Sequence, residues 1–305
     1  MGIRSGIAAQ IGFKAETTVG TGVVVDTFVP LVSESIKRKE KWTESAGIMP
    51  SRLLQLSQQW QSGDVDIEGS IMMELYTLSI KPLLKAMFGT ETGAGPYTYT
   101  PTDLYGNSLT IQIGKPGMNA TVQPFSYPGS KIKGWTLSCQ KGAIAQLQLD
   151  IMTCLVDEDR TTALAAATYA ANIKPFTFSG ATITYNAATL PCTAVQLQGD
   201  NKLEARRFLG NRFMSEPVHT DVRDYKGTLT AEFTDKTIYE LYTARTEAAL
   251  VLSFTNGSNS LVITTNVRLD GETPSVAGKG IVVQPLPFTC VASSTDASGI
   301  TAVYT

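Results

Sequence analysis

Residues 63–88 read GDVDIEGSIMMELYTLSIKPLLKAMF, and the hydrophobic period changes within this stretch. The first part alternates, with Val65, Ile67, Gly69, Ile71, Met73 and Leu75 on one face and Asp64, Asp66, Glu68, Ser70, Met72 and Glu74 on the other. A period of two predicts a half-buried strand. From about Leu78 the apolar residues follow a helical spacing, and Pro82 is tolerated in a first helical turn. The stretch therefore predicts a strand followed at once by a short amphipathic helix.

The same unit occurs again at residues 221–242, which read DVRDYKGTLTAEFTDKTIYELY. The matching positions are Gly69 with Gly227, Glu74 with Glu232, and Leu75 with Phe233. A helix is again predicted directly after the strand, with Asp235 as its N-cap. A strand–helix unit that appears twice predicts an internal duplication.

A charged segment precedes each copy of the unit. We name residues 34–62 the first arm and residues 200–220 the second arm. The first arm is predicted to be a hairpin or a loop between strands, and an unstructured loop of this length inside a compact domain is usually functional. The composition shifts after residue 157, where a charged run gives way to an alanine-rich one. We therefore predict a first domain over 1–162, an alanine-rich linker over 163–173 and a second domain over 174–305.

The remaining pattern is rich in short alternating segments. Residues 130–139 and 143–154 predict a hairpin that turns at Gln140–Gly142, and residues 114–129, with three prolines and three glycines, predict a loop. In the duplication, Ser260–Leu269 is matched with Leu109–Ile113, and Phe288-Thr-Cys290 with Met152-Thr-Cys154. This pattern predicts a mainly β protein with two similar halves.

Composition narrows the classes of function. The 305 residues are 43% hydrophobic, which is enough for a substantial core, and 25 Lys and Arg nearly balance 27 Asp and Glu. Without a basic excess, nucleic acid is not an expected tight ligand. No window is long and apolar enough for a membrane span, and residues 1–7 lack the apolar region of a secretory signal.

Enzymatic chemistry is not expected. The four cysteines form no Cys-x-x-Cys pair, and His219 is the one histidine, so neither a zinc site nor a serine triad is predicted. The cysteines are expected to be free thiols in a reducing cytoplasm. Asp64, Asp66 and Glu68 alternate on one strand face, which is typical of a solvated or interface surface rather than of a catalytic pair. We predict no catalytic, metal or cofactor residues.

The first arm combines a basic run with aromatic residues. Lys37, Arg38, Lys39 and Lys41 alternate with glutamates, and Trp42 and Trp60 stand at the two sides of the arm. Mixed charge with aromatic residues is more typical of a protein contact than of a polyanion site.

Several segments resemble the tail tube (major tail) proteins of long-tailed bacteriophages, in particular their two-domain group. They are residues 7–22, 28–37, 63–88, 176–180, 246–254 and 284–288. Together they span nearly the whole chain, although none is a catalytic signature.

The resemblance implies two tandem β-sandwich or barrel domains, each with one flanking α-helix. It also implies a structural virion protein whose copies close into rings, and whose rings stack into the hollow tail tube through which DNA passes. Two domains per chain would let three chains form a pseudo-six-fold ring. The implied location is the virion tail, after synthesis in the bacterial host cytoplasm. Implied partners are further copies, the tape measure protein, the tail terminator or distal tail proteins, and phage DNA, which passes through the lumen without sequence-specific binding.

On this interpretation the arms reach the neighbouring ring. The expected contact residues are Lys37, Arg38, Lys39, Lys41, Trp42, Trp60, Arg206, Arg207 and Arg212, while Asp64, Asp66 and Glu68 face either the lumen or an interface. Two alternatives stay open. One is a tail component that forms a single ring, such as a terminator or distal tail protein, and the other is a non-enzymatic β-sandwich binding module.

Overall fold

The computed structural model describes residues 5–50, 53–117, 121–234, 236–271, 273, 276, 279–293 and 298–305. The elements of the first half are β1 Gln10–Ala15, β2 Thr27–Val29, β3 Ser33–Glu34, β4 Lys37–Glu44, β5 Trp60–Glu74, α1 Lys81–Phe88, β6 Gly89–Thr92, β7 Tyr97–Pro101, β8 Leu109–Pro116, β9 Val122–Gln140 and β10 Gln146–Thr153. Those of the second half are β11 Ala181–Tyr185, β12 Ala188–Thr189, β13 Cys192–Asp200, β14 Leu203–Arg206, β15 Ser215–His219, β16 Asp224–Glu232, α2 Thr237–Thr243, β17 Ala248–Asn256, β18 Asn259–Leu269, β19 Val283–Val291 and β20 Ile300–Tyr304. Short 3-10 turns lie at Gly6–Ala8, Ser57–Gln59 and Phe178–Gly180. The chain is mainly β, as predicted.

The unit at residues 63–88 forms as the sequence predicts. β5 buries the alternating side chains Val65, Ile67, Ile71 and Met73, and Leu75 directly after the strand is buried as well. Pro82 lies in the first turn of α1, where its missing N–H would have no helical partner. α1 then packs Leu83, Leu84, Met87 and Phe88 into the core.

The second unit also forms, with a more exposed helix. β16 buries Tyr225, Leu229 and Ala231, and α2 follows after a short connection. No residue of α2 is fully buried, because Ile238, Leu241 and Tyr242 only partly cover the core. Asp235, the predicted N-cap, lies outside the described residues.

Strand pairing shows how the halves correspond. β5 lies beside β10, and Gly69 faces Ile151. β16 lies beside β19, and Gly227 faces Phe288. Phe288 therefore corresponds to Ile151, and the predicted match of Phe288 with Met152 is wrong by one residue. The side chain on a strand changes face with each residue, so the shared Thr-Cys letters are a weaker guide than the partner across the sheet.

The pairing also corrects the predicted match of Ser260–Leu269 with Leu109–Ile113. β8 pairs with β1 and β9, and its counterpart β17 pairs with β11 and β18. β9 lies between β8 and β10, and β18 lies between β17 and β19. β18 is therefore the counterpart of β9. β8 and β18 both carry apolar residues at alternating positions, so the sequence alone did not show that they occupy different places in the sheet.

The two halves are joined by direct hydrogen bonding of strands. β9 pairs with β13 from Gly134 opposite Asp200 to Gln140 opposite Ala194, and the last strand, β20, pairs with β7. Residues 163–173, all described, form no helix. They run along the first half, where the side chain of Gln112 binds the backbone of Ala163 and Ala165.

The predicted hairpin of β9 and β10 is confirmed, but the predicted loop at residues 114–129 is not. Residues 122–129 belong to β9, where Pro124 faces Gly114 of β8. Within the described residues, β9 pairs with β8 alone around Pro124. A proline is tolerated there because its missing N–H removes no hydrogen bond from the sheet.

Candidate assembly surfaces

The first arm is a hairpin with an apolar end. β4 pairs with β5 from Lys37 opposite Glu68 to Glu44 opposite Trp60. Trp42 and Trp60 are 55% and 42% exposed. The connection between the two strands presents further large apolar side chains to solvent, namely Ile48, Met49, Leu53 and Leu54. Such a cluster on an extended hairpin is typical of a contact with another protein.

The second arm lies against the base of the first. It contains the hairpin of β14 and β15, and its turn binds β5: the N–H of Val65 donates to the carbonyl of Arg212 at 2.9 Å. The guanidinium of Arg207 binds the Asp66 carboxylate and donates to the Val65 carbonyl at 3.2 Å. Arg212 binds the Glu40 carboxylate and donates to the Gly63 carbonyl at 3.0 Å. The two arms therefore form one unit within the chain.

Of the other predicted contact residues, some bind groups of the same chain and others are exposed to solvent. Arg38 makes a two-pronged contact with Asp157, at 2.6 and 2.9 Å. The hydrogen bond with Asp157 is the main reason why the pKa of Arg38 is raised. Arg206 donates to the carbonyl of Glu216. The ammonium of Lys41 is 3.1 Å from the Asp66 carboxylate, and Lys37 and Lys39 are exposed.

The three acidic residues of β5 lie in two different places. Asp66 binds Arg207 and Lys41, and Asp64 lies 3.7 Å from Arg207, so both belong to the contact between the arms. Glu68 is exposed. It lines a concave depression of about 770 Å³ on the outer face of the sheet.

This depression crosses β4, β5, β10, β9, β13 and β16, which are neighbours in the sheet. Four lysines and four acids line it: Lys37, Lys39, Lys133, Lys226, Glu68, Asp150, Asp200 and Asp224. The face is highly polar and evenly balanced in charge. It spans the joint between the halves without interruption.

A buried polar cluster, which the sequence did not reveal, ties the second arm to the first half. The ammonium of Lys131 is almost fully buried and donates to the Leu104 carbonyl and to Glu216, both at 2.6 Å. His219 donates from Nδ1 to the carbonyl of Asn201 at 2.7 Å, and its Nε2 accepts from the N–H of Leu104 at 3.2 Å. Both nitrogens are therefore used in holding the fold, and burial lowers the pKa of His219.

The described residues contain no group of His, Cys, Asp and Glu that could hold a metal ion. Within the same ranges no helix is long and apolar enough to cross a membrane. The four cysteines are free thiols.

Comparisons with known proteins give the family. A family model described as "Phage tail tube protein" matches residues 6–290, which is nearly the whole chain. A comparison with curated proteins finds no match. The family match covers both halves and both arms, and the observed fold is mainly β, as the resemblance implied. The chain therefore belongs to the phage tail tube protein family.

Proposed function

We propose that copies of this protein close into rings, and that the rings stack into the hollow tube through which phage DNA passes. Membership of the tail tube family supports a structural role in the virion tail. The observation that carries the ring geometry is the pairing of β9 with β13, which joins one repeat to the next within the chain.

In the first half, one strand edge has no neighbouring strand among the described residues, whereas the corresponding edge of the second half is hydrogen-bonded to β9. Glu34 faces Ile71 as Val195 faces Leu229, so residues 33–39 correspond to residues 194–200. The second of these segments has β9 on its other side. Among the described residues, no strand lies beside the outer edge of residues 33–39. An open edge of this kind is a ready site for pairing with another chain.

The internal joint is the template for the joint between chains. Suppose that every repeat is joined to the next in the same way. The edge of the second half that corresponds to residues 134–140 of β9 then meets residues 33–39 of the next copy. This is a head-to-tail contact, which closes into a ring when the rotation allows. With two repeats per chain, three chains give a pseudo-six-fold ring.

The balanced polar face then lines the lumen. It is concave and continuous across the joint between the halves, and Glu68 lies on it. Lysines that neutralise phosphates release counterions and so hold DNA. Here each lysine has acidic neighbours, which favours passage of DNA over retention. Asp64 and Asp66 are assigned instead to the contact between the arms.

The exposed end of the first arm makes the contact with the next ring. Trp42, Trp60 and the apolar side chains between them supply the contact area, and Lys41 flanks it, whereas Lys37 and Lys39 lie on the polar face of the lumen. Arg38, Arg206, Arg207 and Arg212 fix the base of the arms from within the chain. Tail components at the tube ends, such as terminator and distal tail proteins, would use the same ring faces, and the tape measure protein would occupy the lumen. We assign no catalytic role.

Electron microscopy of the purified protein, expressed in the bacterial cytoplasm, tests the proposal. Long tubes, with three chains per ring by mass measurement, are expected. Single rings would instead favour the terminator or distal tail alternative, and monomers at every concentration would favour the binding module. Six chains per ring would overturn the three-chain geometry.

Deletion of residues 45–58 tests the stacking contact separately. The variant should fold and form rings, because β5 keeps its pairing with β10. It should not form tubes, and normal tubes from this variant would refute the role of the first arm.

A further inference from the structure

A side chain of the first half occupies the open strand edge of that half. The N–H of Ile36 donates to the carboxylate of Glu34, which lies two residues earlier in the chain, at 3.0 Å. The same carboxylate binds the ammonium of Lys115 at 3.0 Å. Only 19% of the Glu34 side chain is exposed, so these two contacts hold the carboxylate at the edge.

The N–H of Ile36 points away from β5, toward the open edge. The N–H of Ser35 donates to the carbonyl of Ser70 in β5 at 2.9 Å. Successive N–H groups of a paired strand point to opposite sides, so the next one, that of Ile36, faces outward. It is therefore one of the groups that a strand of another chain would bind.

The second half shows what this N–H does in a joint that has formed. Ile36 corresponds to Leu197 in the alignment of the two edges. The N–H of Lys141 donates to the carbonyl of Thr193 at 2.8 Å, and hydrogen-bonded pairs recur at every second residue of an antiparallel ladder. Leu197, four residues after Thr193, faces Leu137 of β9. Its N–H is therefore bonded across the joint.

The second half carries no carboxylate at the position of Glu34. The counterpart is Val195, which is 5% exposed and faces Cys139 of β9. The two edges also differ in continuity, because β13 is one strand over Cys192–Asp200, whereas β3 ends at Glu34 and β4 begins at Lys37. The joined edge thus carries an apolar side chain where the open edge carries the carboxylate that binds its own backbone.

We propose that Glu34 is a removable cap, which prevents the edge of an unassembled chain from pairing. When a second copy binds, the carboxylate leaves the N–H of Ile36, and this N–H then donates to a carbonyl of the second copy. Lys115 holds the carboxylate in the capping position, and its ammonium lies 5.2 Å from the centre of the Phe125 ring. The inference rests on the proposed ring and adds a control of when the ring forms.

The cap sets a threshold for assembly. A hydrogen bond from a backbone N–H to a carboxylate is stronger than one between neutral groups, so the first contact between two copies has to replace a favourable bond. Charged side chains at strand edges are one means by which proteins prevent unwanted pairing. The Glu34 cap therefore suppresses pairing of dispersed chains, while the further contacts of a ring compensate for its release.

Glu34→Val tests the cap, because it gives the first edge the residue that the second half has. Dilute chains are concentrated stepwise, and assembly is followed by light scattering and electron microscopy. The variant should assemble at a protein concentration about tenfold lower than the unsubstituted protein. Glu34→Gln is the charge-matched control. Its amide oxygen can still accept from the N–H of Ile36, so its threshold should lie closer to that of the unsubstituted protein.

Hydrogen exchange of the Ile36 amide measures the cap in dispersed chains, without any ring. Exchange should be at least tenfold faster in Glu34→Val than in the unsubstituted protein, with circular dichroism showing that both are folded. Glu34→Ala removes the carboxylate without adding a branched side chain and should behave in the same way. Equal exchange rates in all three folded proteins would overturn the cap.

The outcomes separate this inference from the proposed function. Rings or tubes of Glu34→Val that form at the same or a higher concentration would overturn the cap and leave the ring in place. An equal gain in Glu34→Gln would show that net charge, and not the capped N–H, controls assembly, which also refutes the proposal. If neither the unsubstituted protein nor the variants assembled at any concentration, the proposed function and this inference would both fail.

Discussion

The carbonyl oxygen of Ser35 lies so close to Gly69 that a Cβ atom there would be 2.5 Å away from it. The equivalent Gly227 is placed in the same way against the carbonyl of Gln196. Each glycine therefore lets the neighbouring strand pass close to the repeated strand, β5 or β16. The repeat of this glycine in the sequence has a steric cause.

Gly69→Ala should lower the free energy of unfolding by about 1–3 kcal/mol, because the added methyl group meets backbone rather than a mobile side chain. Gly227→Ala should have an effect of similar size. Urea unfolding at a protein concentration too low for ring formation would measure both effects.

Gly280→Ala is the matched control, since a Cβ atom at Gly280 meets nothing within 4 Å. It should change the free energy by no more than about 0.5 kcal/mol. If Gly69→Ala were equally mild, the close approach of the strands would not be the reason for the glycine.

The repeated strand–helix unit could be predicted because its signals are local. Alternation of Val65, Ile67 and Ile71 predicts a buried face wherever the strand lies in the sheet, and Pro82 indicates where the helix starts. The correspondence of β10 and β19 was predicted one residue out, because it depends on which residue faces Gly69 or Gly227 across the sheet.

The contacts that hold the arms could not be predicted from the sequence. Arg207 and Asp66 are far apart in the chain, and each looks like an ordinary exposed charge. The same holds for Lys131, whose burial beside Glu216 has no signal in the residues around it. Only the topology, which brings the second arm onto the first half, makes these groups neighbours.

Arg207→Met should loosen the second arm from the first. The guanidinium binds Asp66 and the Val65 carbonyl while less than a quarter of the side chain is exposed. Loss of charged hydrogen bonds of this kind lowers the free energy of unfolding by about 1.5–3 kcal/mol, which urea unfolding can measure.

Lys41→Met is the matched control for Arg207, because Lys41 also binds Asp66 but is 64% exposed. An exposed pair contributes about 0–1 kcal/mol, so the variant should be nearly neutral. If Arg207→Met were as nearly neutral as Lys41→Met, the contact between the arms would contribute little to stability.

Glu16 should be the least replaceable acid of the first half. Its buried carboxylate accepts from Ser108, Thr110, and the N–H groups of Gly20 and Gly129. Glu16→Gln keeps the shape but replaces one acceptor oxygen by a donor, so donors face a donor. We expect the free energy of unfolding to fall by about 2–3 kcal/mol, which thermal or urea unfolding can measure. Glu44→Gln, on the exposed first arm, should have almost no effect, and an equal effect would contradict the predicted role of the buried site.

His219 should make stability depend on pH. Burial lowers its pKa below the ordinary value of 6.5, so the folded chain resists a proton that the unfolded chain accepts. The contribution of His219 is then complete above pH 6.5 and is lost as the pH falls through the lowered pKa. Asp103, Arg223 and Lys131 surround the ring and influence its charge.

Because the chain has one histidine, its imidazole resonance can be followed by NMR without assignment. The resonance should titrate below pH 6.5 in the folded protein, and the loss of stability between pH 7 and pH 5.5 should be smaller in His219→Gln. A titration at or above pH 6.5 would contradict the prediction.

The cysteines should not react in the native protein. Burial raises the pKa of Cys154 and of Cys192 to about 12 and that of Cys290 to about 11, and it also raises the pKa of Cys139. At pH 8 the thiolate, which is the reactive form, is therefore scarce in all four. A thiol reagent such as 5,5′-dithiobis(2-nitrobenzoic acid) should label fewer than one cysteine per folded chain in minutes and all four in denaturant. Rapid labelling of the folded protein would show that the strands around these thiols open more often than the packing implies.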